Sequence, residues 1–367
     1  MLQKHCGVFH DAALLMSPAT PTQHSKMRHT TPTPQQPDSP SNARLLADVG
    51  GTNARFAYQA EPDAPITDVQ VMACADYPTL QAAMRAYLDQ CGLGRPGAAA
   101  IAIANPITGD QIRMTNHHWT FSQAAVKLEF GFAQLRLLND FTALALALPD
   151  IPLSELRAVG SGIELADTPK ALVGAGTGLG VSGLLPNGNG GWIALEGEGG
   201  HVTLSAATPR ERRVMDGLVK KYGHASAERV CSGPGLLDTF HLLCEADGVA
   251  VNGMTSAAAV TNAALNVGQP QALEALGMLC ALLGSVAGNL ALTLGARGGV
   301  YIGGGVVPRL GAWFDTSPFC ERFRSKGRFE AYLKDVPVWV IVSEQSPALL
   351  GAARALNMAH RDQILPP

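Results

Sequence analysis

The chain has 367 residues, 47% hydrophobic and 16% charged, with 27 Lys and Arg against 30 Asp and Glu for a formal net charge of -3. At about 150 residues per domain this length calls for two domains and a cleft between them. The charge balance leaves no positive excess for a nucleic-acid backbone, which excludes nucleic acid as a partner.

Residues 1–42 come first and are rich in Pro, Thr and Ser, as in Thr31-Pro32-Thr33-Pro34-Gln35-Gln36-Pro37, a composition that predicts a disordered tail. The apolar run Ala12-Ala13-Leu14-Leu15-Met16 is cut short by His10 and Asp11 and lacks the charged lead of a secretory signal, while Met27 offers a second translation start. The seven cysteines form no Cys-x-x-Cys pair. They supply neither a disulfide framework nor a zinc site, and reduced thiols predict a cytoplasmic protein.

From Ala43 the texture becomes Gly-punctuated apolar strands alternating with helical patterns, the rhythm of an α/β protein. Leu45-Leu46-Ala47-Asp48-Val49-Gly50-Gly51-Thr52-Asn53-Ala54-Arg55 predicts a buried strand ending in a tight glycine turn. Amides of such a turn can face phosphate oxygens, with Asp48 placed for a metal ion; the same residues can also close an ordinary hairpin. Strands are expected at 69–73, 98–104 and 135–138, with an amphipathic helix over 79–91. Pro149 and Pro152 stop any helix running through and mark a domain boundary. A second strand at 170–173 leads into another glycine turn, Gly174-Ala175-Gly176-Thr177-Gly178-Leu179-Gly180. A nearly charge-free helical stretch over 271–294 is interrupted by Gly288 and Asn289, which argues against a membrane span. Then come a third strand ending in Gly303-Gly304-Gly305, a last strand at 338–342, and a last helix at 348–358 that returns to the first lobe.

Three strand-to-glycine turns, at Gly50, Gly176 and Gly304, are explained together if they converge on one nucleotide. Two would hold phosphates from opposite sides and the third would let an adenine lie against bare backbone. This arrangement resembles the two-lobed actin-like, ribonuclease H-like ATPase superfamily. Leu138-Asn139-Asp140-Phe141-Thr142-Ala143, Glu196-Gly197-Glu198-Gly199-Gly200-His201-Val202 and Ser226-Ala227-Glu228-Arg229-Val230-Cys231-Ser232-Gly233-Pro234-Gly235 sharpen it. With Asn105-Pro106-Ile107-Thr108-Gly109-Asp110 and Met114-Thr115-Asn116-His117-His118-Trp119, these look like a bacterial ATP-dependent glucokinase of the non-ROK type. The resemblance covers the chain from Ala43 onward.

The resemblance implies a cytoplasmic kinase that phosphorylates the 6-hydroxyl of D-glucose with ATP and Mg²⁺ and feeds glycolysis. Another hexose, polyphosphate as donor, or a non-kinase ATPase sensor are the alternatives. A carboxylate at a strand end suits the base that takes the hydroxyl proton, and Asp140 is that residue; its plain reading is a helix N-cap. Asn139, Asp140, Glu198, His201 and Glu228 are implied to hydrogen-bond glucose. Read alone, Glu228 is a solvated helix residue and His201 a core histidine or metal ligand. ROK proteins follow their own Gly-His with a zinc-binding cysteine cluster, but Val202 to Pro209 contain no thiol, so zinc is not expected. Ala47, Asp48, Val49, Gly50, Gly51, Thr52, Asn53, Gly176, Thr177, Gly178 and Gly304 are the implied nucleotide-binding set, with Asp48 orienting Mg²⁺ through water. Arg55 reads as a phosphate clamp or a surface charge and is placed at the surface. The expected domains are 43–150 plus 343–360 and 151–342, hinged near 149–152 and Ser343. A homodimer is implied by analogy, with the apolar helix ending near Leu294 as its face.

Overall fold

The computed structural model describes residues 41–364 except 252, with side chains described as far as 358. The predicted disordered tail over 1–42 therefore lies outside the described residues up to position 40.

The first half of the chain runs β1 (Arg44–Val49), β2 (Asn53–Gln59), β3 (Ile66–Ala73), α1 (Leu80–Gln90), β4 (Ala98–Ile103), β5 (Gln111–Arg113), β6 (Thr120–Ser122), α2 (Gln123–Phe130), β7 (Gln134–Asn139) and α3 (Asp140–Ala147). The second continues with β8 (Leu156–Ala158), β9 (Lys170–Ala175), β10 (Leu179–Pro186), β11 (Trp192–Leu195), α4 (Pro209–Tyr222), α5 (Gly233–Asp247), α6 (Ala257–Asn262) and α7 (Pro270–Leu294). It ends with β12 (Val300–Gly303), α8 (Val306–Arg309), α9 (Phe319–Arg324), α10 (Glu330–Lys334), β13 (Val338–Ile341) and α11 (Ala348–Ile364).

Two sheets carry the same strand plan. The first has the order β3-β2-β1-β4-β7 and the second β11-β10-β9-β12-β13, extended by β8 at its edge. In each, an antiparallel hairpin (β1–β2, β9–β10) is followed by two parallel neighbours. The two similar strand-turn units expected from the glycines are thus the opening hairpins of two matching sheets. Such an architecture is the two-lobed actin-like fold.

Local sequence explains the elements. In β1, Leu45, Leu46 and Ala47 are all buried, as a central strand covered on both faces requires. In α1, Leu80, Ala83, Met84 and Tyr87 form one buried stripe at helical spacing, and Thr79 caps the helix by accepting from Ala82 N at 3.1 Å.

Two helices fill the space between the sheets. Leu349, Ala352 and Leu356 of α11 pack on Leu46, Ala57 and Ala100 of the first sheet. Ala145 and Leu146 of α3 join Leu172, Leu184 and Tyr301 of the second. The last helix thus packs against the first sheet, while its Ala355 joins the cluster on the second. The two helices cross so closely that a Cβ on Gly351 would overlap the Ala143 carbonyl.

α7 corrects one expectation. It is continuous through Gly288 and Asn289, and by length and composition it could cross a membrane, but 78% of its most apolar window is buried inside the chain. It is a core helix, packed with α5 and α9, and most of its apolar surface is covered from within the chain.

Candidate active site

Asp48 lies opposite Arg55 in the β1–β2 hairpin, and its Oδ2 is 3.4 Å from Arg55 Nη1. Arg55 is therefore not the surface charge expected from the sequence but the counter-charge of Asp48. Ala47 and Val49 are fully buried in the core of the first sheet, so their side chains hold Asp48 in place from within. Gly50 N donates to Asn53 O at 2.9 Å, and Cys74 N donates to Thr52 O at 2.9 Å, which leaves the Thr52 side chain exposed at the tip. Gly51 lacks a side chain for a steric reason: a Cβ there would sit 2.8 Å from Asn116 Cβ. The segment from Met114 to Trp119, which the sequence marked without assigning a role, rests against this turn. The turn is thus a hairpin closed by the Gly50 amide, with Gly51 and the Thr52 hydroxyl at its tip.

The second turn spans Gly176, Thr177 and Gly178 between β9 and β10. Gly176 N donates to Gly178 O, and Gly176 O accepts from Gly233 N, both at 2.8 Å. That second bond fixes the start of α5 beside the turn, and a 15-residue helix brings the positive end of its dipole there. The third turn adjoins it, because β12 pairs with β9 and Gly303 lies opposite Gly174. Gly304 has a φ of +77° and leaves no room for a Cβ against the Ala175 carbonyl. Thr177 and Gly304 are both exposed.

Asp140 is the first residue of α3, where β7 ends. The N-cap is Asn139, whose Oδ1 accepts from Phe141 N and Thr142 N at 2.9 and 3.3 Å. The cap reading of Asp140 belongs one residue earlier, and among the described residues Asn139 Nδ2 has no acceptor. Burial, reinforced by the charges of Asp48 and Glu198, pushes the Asp140 carboxyl up to about 6, against the bond it accepts from Phe141 N at 3.0 Å. Three carboxylates from β1, α3 and the turn after β11 therefore share one electrostatic site.

Glu198 precedes the short turn Gly199–His201, which closes through His201 N to Glu198 O at 3.0 Å. Gly199 and Gly200 press this turn onto β10, since a Cβ on Gly199 would lie 2.7 Å from Val181 Cγ1. Both Glu198 and His201 are exposed, and among the described residues neither side chain has a hydrogen-bond partner. The core-histidine reading of His201 is thereby corrected. Glu228 is not a solvated helix residue: its Oε2 accepts from Leu179 N at 2.9 Å, and Gly178 leaves the space for its carboxylate. Ala227 N donates to Val202 O at 3.0 Å, which brings the Glu228 and His201 segments side by side.

Among the described residues no three His, Cys, Asp or Glu side chains cluster to hold a metal alone. Mg²⁺ needs no such cage, since it takes one or two carboxylates and completes its shell with water and phosphate. Asp48 fits that demand.

The glucokinase family profile matches residues 45–359, from β1 into α11. The chain is 51% identical over 320 residues to a glucokinase of Aromatoleum aromaticum, covering 86% of this chain and 95% of that protein. The chain belongs to the glucokinase family. The crystal structure of a glucokinase from an Antarctic psychrotroph superimposes with a TM-score of 0.77 at 35% identity, over 86% of this chain and 99% of that one. A ROK family glucokinase from Streptomyces griseus, solved with glucose and AMPPNP, shares the fold at a TM-score of 0.56 and 20% identity, over 85% of this chain and 98% of that one. The glucokinase match includes all three glycine turns and every residue of the implied sugar site.

Proposed function

We propose that this chain transfers the γ-phosphoryl of ATP to the 6-hydroxyl of D-glucose, giving glucose 6-phosphate and ADP. The observation that carries the reading is Asp140, a half-buried carboxylate at a helix start whose proton affinity is raised to about 6. A base in this range is ionised at neutral pH yet basic enough to accept a proton as the hydroxyl oxygen attacks. The new bond joins that oxygen to the γ-phosphorus, the bond to the β–γ bridging oxygen breaks, and the hydroxyl proton passes to Asp140.

Asn139 Nδ2 donates to the sugar, Glu198 and Glu228 accept from its hydroxyls, and His201 completes the set. The Thr52 and Thr177 hydroxyls reach the phosphates from turns shaped by Gly50, Gly51, Asn53, Gly176 and Gly178, the Gly50 and Gly176 amides staying bonded within those turns, and Gly304 offers bare backbone to the base. Mg²⁺ oriented by Asp48 would offset phosphate charge. The reading treats 43–150 plus 343–360 and 151–342 as two domains that close on glucose about 149–152 and Ser343, which keeps water from replacing the sugar. A cytoplasmic setting accords with the free thiols of Cys74, Cys231 and Cys280.

A coupled assay of ADP release with a panel of hexoses, with ATP or polyphosphate as donor, tests the reading. Glucose with ATP should give the highest kcat/KM, and ADP release without sugar should be far slower. Another preferred hexose, or sugar-independent hydrolysis at a similar rate, would overturn it.

A further inference from the structure

A pocket of about 470 Å³ lies behind the turn that carries Glu198 and His201, between residues 199–207, α7 and the end of α9. Its size suits a small ligand. Val181, Val286 and Leu290 make an apolar wall, and Ser205 and Ser325 add hydroxyls, while Thr203 Oγ1 is paired with His224 Nε2 at 2.9 Å.

The charged end is built by packing. Gly284 and Gly288 let α9 approach α7, and a Cβ on Gly288 would lie 2.9 Å from Lys326 Cε. Lys326 Nζ donates to Ser285 O at 3.1 Å and to Asn289 Oδ1 at 2.7 Å. The neighbouring Arg322 is neutralised by Glu211, with Nη1 to Oε1 at 2.6 Å, and its Nη2 donates to Ser285 Oγ at 3.2 Å. Among the described residues no carboxylate pairs with Lys326, so one half-buried positive charge is left over. Burial and the Arg322 charge accordingly lower its proton affinity. A fixed ammonium in a pocket also lined by the Ser205 and Ser325 hydroxyls matches a tetrahedral anion with several acceptor oxygens, and the apolar wall matches an organic body.

We propose that this pocket binds a small organic phosphate, and that its occupation changes the grip of Glu198 and His201 on the sugar. The pocket and the sugar turn share backbone: Gly199, Val202 and Thr203 line the pocket, and Glu198 and His201 alternate with them along the chain. A ligand behind the turn must therefore press on the residues that present both side chains.

The coupling rests on the proposed roles of Glu198 and His201, whereas the binding does not. Calorimetry on the full chain, saturated with glucose and ADP to fill the active site, uses phenyl phosphate as probe and phenol and inorganic phosphate as controls. Phenyl phosphate should bind at least ten-fold more tightly than either control. Lys326→Met and Thr293→Glu, the second placing a negative charge at the rim, should each weaken it at least ten-fold without altering basal kcat. In the unsubstituted enzyme phenyl phosphate should shift KM for glucose at least two-fold, and in both variants that shift should disappear. No binding, or equal binding by a folded Lys326→Met protein, overturns the site. Binding with KM unmoved overturns the coupling. Lys326-dependent binding by a protein inactive on glucose would instead count against the glucose assignment.

Discussion

Phe141 occupies the space that a side chain on Gly180 would need. Gly174, opposite Gly180 in the β9–β10 ladder, completes the slot, since a Cβ there would come within 2.7 Å of the Phe141 ring. Asp140 immediately precedes Phe141, so the ring anchors the carboxylate against the hairpin that carries the second glycine turn. The two lobes are thus registered at the site by one aromatic ring in a glycine slot.

Gly180→Ala should displace that ring and the carboxylate with it. A shift of about 1 Å at a reacting group costs about 10²-fold in rate, while overpacking costs about 1–3 kcal/mol of stability. Steady-state kinetics and urea unfolding on the same preparation test this. A folded Gly180→Ala enzyme with unchanged kcat would show that the slot does not set the base.

Asp140 has a double signature. Asp140→Ala should lower kcat by about 10²- to 10⁴-fold with a much smaller change in glucose affinity, and the unsubstituted enzyme should lose activity as pH falls through about 6. The same raised pKa weakens the fold. Below the unfolded carboxyl pKa both states hold the proton and nothing is lost; as pH rises through about 6 the folded state gives up its proton reluctantly and stability falls. Asp140→Asn should therefore unfold later than the parent at pH 7, by about 1–3 kcal/mol, with the gap closing below about pH 4. Chemical denaturation at both pH values reads this out.

Asn139 can be divided into cap and ligand. Asn139→Ala should lose the helix cap, worth about 1 kcal/mol, together with the sugar donor. Asn139→Asp keeps an oxygen for Phe141 N and Thr142 N but has no amide to donate, so stability should hold while KM for glucose rises several-fold. Equal KM in Asn139→Asp and the parent would leave Asn139 as a cap alone.

Much of this was legible along the chain. Apolar strands punctuated by glycines located β1, β4, β7, β9 and β12, and the glycines at 50, 176 and 304 marked the three turns. The sequence could not say what each glycine is for. Gly176 is open, with no atom within 4 Å of where a Cβ would sit, whereas Gly178 admits the Glu228 carboxylate and Gly174 and Gly180 admit Phe141. Those are contacts between distant segments, and a single-residue code carries no record of its partner. Arg55 was misplaced for a related reason: in a two-residue-period strand its side chain shares a face with Asp48 only once the hairpin register is known. The apolar pattern of α7 gave its length but not which chain covers it, and its own chain does.

The Asp48–Arg55 pair supplies the sharpest electrostatic test, because its two halves should act in opposite directions on Asp140. Asp48 repels the ionised base and raises its pKa, and Arg55, whose Nη1 lies 3.4 Å from Asp48 Oδ2, should offset part of that repulsion. Asp48→Asn should therefore move the acid limb of kcat/KM for glucose to lower pH. Arg55→Gln leaves Asp48 uncompensated and should move it to higher pH, each by a few tenths of a unit to about one unit. The Arg55 shift should be the smaller of the two and should shrink in added salt, since the guanidinium is partly exposed. A merely structural role for the pair would change kcat in both variants without separating their pH profiles. Limbs that move in the same direction would remove Arg55 from the electrostatics of the site.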